Sequence, residues 1–213
     1  MAVRRVPIVA TLIVLVAVGT MVSLGFWQLR RADEKGALLA VLRENPFRPP
    51  AAFPVAGSVP DSLLYRRSTV ACPAVHRWSV EAGSAADGTT GYRLVAHCGG
   101  AQGQMGPLIV VGVTNRPDFR PRWNGGTVAG WITRAPDRRP LLAHLSGAQI
   151  VLPPMLIATE APARLKPAAP PRVEDVPNNH RGYAVQWFAF AGIALTIYAL
   201  ALSRRLRAGA GDS

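Results

Sequence analysis

The chain has 213 residues, 49% of them apolar and only 17% charged, with 24 Lys+Arg against 12 Asp+Glu for a formal net charge of +12. So high an apolar share excludes a disordered chain, and two cysteines exclude a mini-domain held mainly by disulfides. The apolar residues cluster at the two ends, which argues against a freely soluble protein. The basic excess would suggest a nucleic-acid partner in a cytosolic chain, so compartment has to be settled first.

From Val6 to Phe26 there are 21 residues without a charge, enough at ~1.5 Å per residue to cross a ~30 Å hydrocarbon core. A cleaved signal peptide has a shorter apolar region and ends at small residues. Here the run passes into Gly25-Phe26-Trp27-Gln28, which predicts an uncleaved transmembrane helix over 6–26 behind a short tail, 1–5. A second uncharged run of 20 residues, Tyr183 to Leu202, predicts another span over 183–202 with a tail at 203–213. Both runs are apolar all round, unlike the core helices of a small soluble protein. Arg4 and Arg5 precede the first span, and Arg204, Arg205 and Arg207 follow the second. By the positive-inside rule both termini are expected in the cytoplasm, with the middle of the chain outside the cytoplasmic membrane. Its 19 Lys+Arg against 11 Asp+Glu cannot read genomic DNA there, so no nucleic-acid partner is expected. Lipid head groups, an acidic protein face or the carboxylates of a cofactor remain, and a solvated basic surface suffices for most individual arginines.

Beyond the first span, no proline interrupts the chain between Pro7 and Pro46, and Leu, Ala, Arg and Glu dominate, so a juxtamembrane helix over 27–45 is expected as a rigid arm. Trp27, Arg31, Glu34, Leu38 and Leu42 recur along one helical face, and Arg30 with Glu34 forms an i,i+4 pair. After Pro46 the signal turns to short β-type runs: Leu63–Ala71, Val75–Glu81, Gly91–His97, Pro107–Asn115, Thr127–Arg134 and Gln149–Thr159. Clusters of Gly, Pro, Asp and Asn separate them. The expected fold class is a membrane α+β protein, two transmembrane helices flanking an antiparallel β-rich domain, a small barrel or sandwich, over 46–161. Leu108–Val113 is the candidate for a strand buried on both faces. The Pro- and Ala-rich stretch 162–182 is expected to be an extended tether back to the membrane.

Cys72 and Cys98 end two expected strands in an oxidising compartment, where a disulfide between them competes with two unpaired buried thiols. No metal site is expected: there is no CxxC, and Cys72 with His76 lacks further ligands. Nor is a catalytic residue put forward, since GxSxG, HExxH and phosphate-cradling glycine loops are all missing from the sequence.

The two membrane junctions carry a resemblance. Leu24-Gly25-Phe26-Trp27-Gln28 followed by Arg31 and Lys35 resembles the signature at the exit of the first span in the Surfeit locus protein 1 family. Asn178-Asn179-His180-Arg181-Gly182-Tyr183-Ala184, then Trp187-Phe188, is similar to that family's second signature. Between them, Val113-Thr114-Asn115-Arg116 and Val128-Ala129-Gly130-Trp131 resemble two of its strands, although Pro117-Asp118 stands where Gly-Trp is usual. The resemblance implies a non-enzymatic assembly factor of the bacterial inner membrane, with a periplasmic domain, serving haem-copper cytochrome c oxidase. It further implies help with inserting haem a, bound transiently, into subunit I, with the haem a synthesis machinery and membrane lipid as further partners.

A haem is an apolar plate with two carboxylates, so aromatic, His and Arg side chains at a membrane surface suit it. His180 is the candidate axial ligand, and also a plain interfacial residue behind an N-cap at Asn178 or Asn179. Tyr183 and Trp187 offer an apolar wall, and Arg31 and Lys35 offer charge for propionates or lipid phosphate; Trp27 and Trp187 are most simply belt aromatics. His76, His97 and His144 are expected at the surface or at strand ends. Two rival functions are a scaffold that holds oxidase subunits without haem and a membrane-anchored hydrolase, which would need a nucleophile–base pair.

Overall fold

The computed structural model describes residues 7–55, 57–99, 105–140 and 151–208, so His144 lies outside the described residues. The chain divides into two compact units: Met1–Leu38 with Pro177–Ser213, and Leu39–Val176. Helix α1, Ile8–Glu44, runs unbroken out of the first apolar stretch because proline is absent until Pro46, which enters a short 3-10 turn at Asn45–Phe47. Helix α2, His180–Ala208, carries the second. Only 11% and 6% of their most apolar windows are buried, so both are candidate membrane-spanning helices rather than core helices.

Within the first unit the helices pair antiparallel, since Gln28 meets His180 while Thr11 meets Tyr198. Along α1 the residues Thr11, Val14, Val18, Met21, Gly25, Gln28, Ala32, Lys35, Leu39 and Leu42 are all buried or half-buried and follow alternating steps of three and four, the 3.5-residue period of a coiled-coil seam. On α2 the matching stripe is His180, Ala184, Trp187, Ala191, Ala194 and Tyr198. Small residues are what such a seam needs in lipid, where no hydrophobic force drives helices together and close approach supplies the attraction. The stripe lies one position off the first part of the expected face: Trp27, Arg31 and Glu34 are exposed while Gln28, Ala32 and Lys35 are buried or half-buried, whereas Leu38 is half-buried and Leu42 buried as expected. Glu34 likewise pairs with Arg31 (2.7 Å) rather than with Arg30.

In the unit Leu39–Val176 six strands form one sheet: β1 Arg67–Cys72, β2 Val75–Ser84, β3 Thr90–Gly99, β4 Met105–Thr114, β5 Gly126–Arg134 and β6 Pro154–Ala158. Their order is β1-β5-β6-β4-β3-β2. The outermost strands, β1 and β2, are separated by Pro73 and Ala74 alone, so they are two halves of one strand bent at a corner. There Val75 N donates to Asn124 O on one side and Gly99 N donates to Ala74 O on the other. The sheet thereby curls into a ring, and at this corner Cys72 is bonded to Cys98, Cα atoms 5.3 Å apart. With the bent strand counted once, the ring runs first, second, third, fifth, fourth and back to first, the Greek-key arrangement of an OB-type barrel. The expected membrane α+β class holds; within the β-domain one pairing, β4 with β6, is parallel.

Val95, Val110, Val113, Met155 and Ile157 form the barrel core, and Ile109 to Val111 are buried on both faces of β4. Gly130 of β5 is required by closeness: a Cβ there would sit on Ile157 O of β6 and 2.8 Å from its carbonyl carbon. Beside it, the Arg67 guanidinium lies 4.6 Å over the Trp131 ring. Beyond shifts of one to three residues at strand ends, three boundaries differ from expectation. The stretch 61–65 is a turn, because buried Asn45 donates to the carbonyls of Asp61 and Leu64 (2.8 Å each) and Tyr65 adopts a left-handed φ of 65°, so β1 starts only at Arg67. Of the expected run Gln149–Thr159, residues 149 and 150 lie outside the described residues, and strand β6 covers Pro154–Ala158. The start of the expected tether instead packs along the barrel: Lys166 exchanges backbone hydrogen bonds with Val113, and Ala169 N donates to Ser84 O.

Candidate functional site

The helix pairing brings the first and last signature segments together, although 152 residues separate Gln28 from His180. Gly25 lies against the Phe188 ring, where a Cβ would come within 2.6 Å of Cε1, and Phe26 meets the same ring edge to face at 5.3 Å between centroids. One turn toward the end of the seam, His180 Nδ1 is 2.7 Å from Gln28 Oε1. An amide oxygen only accepts, so Nδ1 donates and the remaining lone pair of the neutral ring is on Nε2. A metal-binding histidine has the same arrangement, one nitrogen tied to an acceptor and the other left for the metal, so this donor fits an iron of haem type.

Around His180, Asn179 O accepts the Tyr183 N–H that opens α2. Asn178, Asn179, Gly182, Tyr183 and Gln186 line an open cavity of about 480 Å³. Asn178 Oδ1 is buried there without a hydrogen-bond partner. Tyr183 is half exposed, and Trp187 packs edge to face on Phe190, 6.3 Å apart. Lys35 is half-buried in the seam, whereas Arg31 is engaged with Glu34 and Trp27 is exposed outside it. Arg181 approaches Asp33 at 4.0 Å, both well exposed. Among the described residues no hydrogen bond, ion pair or ring contact joins Tyr183, Trp187, Arg31 or Lys35 to His180.

Asn115 and Arg116 belong to the other unit, just past β4. Arg116 pairs with Asp118 at 3.3 Å, so the residue that departs from the usual Gly-Trp supplies a local ion pair. Hydrogen bonding to Arg116, and its charge, hold the Asp118 carboxyl below its ordinary range.

A family model matches residues 15–192, well over half of the chain. The chain belongs to the SURF1 family. That family is associated with cytochrome oxidase assembly and is one of assembly factors rather than known enzymes. Comparison with curated proteins finds no match. In this SURF1-family chain the match spans both signature segments and the whole barrel.

The barrel mouth holds a pair that sequence reasoning missed. Ser79 Oγ lies 2.9 Å from His97 Nε2, in a cavity of about 290 Å³ that Arg77, Glu81 and Arg138 also line. His97 is therefore inside a strand and half-buried, not a strand-end residue. Only the period-two alternation of Arg77, Ser79 and Glu81 hinted at it. The geometry is not that of an activated nucleophile. Arg77 Nη2 sits 3.3 Å from His97 Nδ1; a guanidinium can only donate, so Nδ1 accepts, the ring proton is on Nε2, and that N–H donates to Ser79. A serine that receives the imidazole's proton has no base to give its own to.

Burial first, then Arg77 and Arg138, push the His97 pKa below 6.5, with Glu81 opposing. An unfolded His97 takes up its proton before the folded one, so this contribution to stability is full above pH 6.5 and declines as pH falls through the folded value. His97→Gln is expected to flatten that part of the decline, read as the urea midpoint between about pH 7.5 and about pH 5. An unchanged slope would assign the effect to another group.

Proposed function

We propose that this SURF1-family protein assists assembly of haem-copper cytochrome c oxidase by holding haem a for delivery to subunit I at the outer surface of a bacterial inner membrane. The observation that carries the reading is His180, at the entry to a candidate span, with Nδ1 tied to Gln28 and Nε2 left for a metal. When bound, a haem would supply an iron able to take a nitrogen ligand, an apolar plate and two carboxylates. His180 Nε2 would hold the iron, Lys35 and Arg31 would attract the carboxylates, and Tyr183 and Trp187 would exclude water from the plate. Apart from that coordination, no bond is made or broken by the chain in this reading. The arginine-rich tails support cytoplasmic termini and a periplasmic barrel, an orientation that the redox state of Cys72 and Cys98 in protein taken from cells reads out.

The test uses a strain lacking the gene, with the haem a synthesis pathway present. The full-length chain is expected to restore assembled oxidase and to co-purify with a haem absorption spectrum. His180→Ala is expected to reach the membrane at near-normal level, because one interfacial polar residue contributes little to insertion, yet to lose co-purified haem about tenfold or more. His144→Ala serves as the control. Equal haem in wild type and both variants would sink the ligand role, and restored oxidase without haem would favour the scaffold.

A further inference from the structure

We infer that Gln28 is the positioning residue of His180: by accepting from Nδ1 across the helix pair it fixes the imidazole tautomer that leaves Nε2 as the only lone pair available to a metal. The inference rests on the ligand reading of His180 for its purpose, but its physical content does not. The contact is 2.7 Å, between side chains half-buried in the seam, and the two residues come from opposite ends of the chain. An imidazole free in water prefers the other tautomer, with the proton on Nε2, and that form offers its lone pair on the more crowded Nδ1 beside the backbone. A ring at the first turn of a helix has no intrinsic reason to choose Nδ1–H, so an external acceptor has to impose it.

What holds the acceptor in place is the seam itself. Gly25, three residues before Gln28, lets Phe188 approach α1, and Ala32 and Ala184 are buried at 3% and 1% exposure. With the helices at that separation Gln28 Oε1 reaches His180 directly. The leucine variant keeps the approximate volume of glutamine and removes the acceptor. The glutamate variant keeps an acceptor and adds charge.

Histidine-selective nitrogen-15 NMR of the full-length protein in lipid nanodiscs, at an alkaline pH where imidazoles are neutral, reads each tautomer without any haem. The chain has four histidines, and His180→Ala assigns the relevant signal. Wild type and Gln28→Glu are expected to show His180 protonated on Nδ1, and Gln28→Leu to show the Nε2–H form in the majority. His180 on Nε2–H in the wild type, or a tautomer indifferent to Gln28→Leu, would overturn the inference.

Titration of the same four proteins, wild type, Gln28→Leu, Gln28→Glu and His180→Ala, with haemin separates this from the ligand reading. Gln28→Leu is expected to bind about tenfold or more weakly, the usual cost of removing the partner of a ligating histidine, with Gln28→Glu retaining affinity. If His180→Ala binds haemin as the wild type does, the ligand reading fails while the tautomer result still stands or falls by itself.

Discussion

Gly130→Ala is expected to destabilise the barrel by about 3 kcal/mol, near the top of the range for overpacking a close-packed interior. The added methyl would lie on Ile157 O and 2.9 Å from Leu156 Cγ, so it meets backbone that is fixed by pairing on both sides. Nothing flexible stands there to move aside. For a domain whose whole stability is typically ~5–15 kcal/mol, that loss shows as a large drop in the urea midpoint of the full-length protein. Ala129→Val, at the exposed neighbouring position, is the control and is expected to change little. Equal midpoints for Gly130→Ala and wild type would show that β5 and β6 do not approach as described.

Removing the corner disulfide is expected to cost about 2–4 kcal/mol. Cys72 and Cys98 are buried, at 1% and 4% exposure, and stand 26 residues apart. The bond ties the bent strand to β3, so it restrains a closure that in the unfolded chain would have to be found by diffusion. Cys72→Ala with Cys98→Ala should lower the urea midpoint, and a thiol reductant should lower that of the wild type but not of the double variant. Intact mass after alkylation, with and without prior reduction, decides the state in protein taken from cells. Two free thiols there would remove the staple and speak against a periplasmic barrel.

Much of this architecture is legible in the sequence because its signals are local. A long uncharged run declares a helix that can span lipid, and a run such as Leu108–Val113 declares a buried strand without knowledge of its neighbours. The signature segments were readable for the same reason. What escaped depends on partners distant in the chain. Nothing in Pro73-Ala74 says that one strand turns a corner and serves both sides of a ring, and nothing in Tyr65 announces a left-handed backbone. The phase of α1 is the most instructive case. Trp27, Arg31 and Leu38 look like one good face by residue type, but the seam is chosen by size, with Gly25 admitting the Phe188 ring of α2, and size matters only once a second helix is present. Ser79 and His97 were invisible because strand register alone makes them neighbours.

The Gln28–His180 contact also sets a clock on the chain's own synthesis. Domains form as the polypeptide emerges from its amino end, so Gln28 is in place while the barrel residues are still to be made, and its partner arrives only with α2. Until α2 inserts and docks, the acceptor faces no imidazole, and a chain cut short anywhere before His180 lacks the pair altogether. On the proposed ligand role, an oriented His180 therefore reports that translation has passed the barrel and that both helices are side by side. On the same proposal, a copy that ends before His180 cannot compete with one carrying both helices, because the oriented histidine comes with α2.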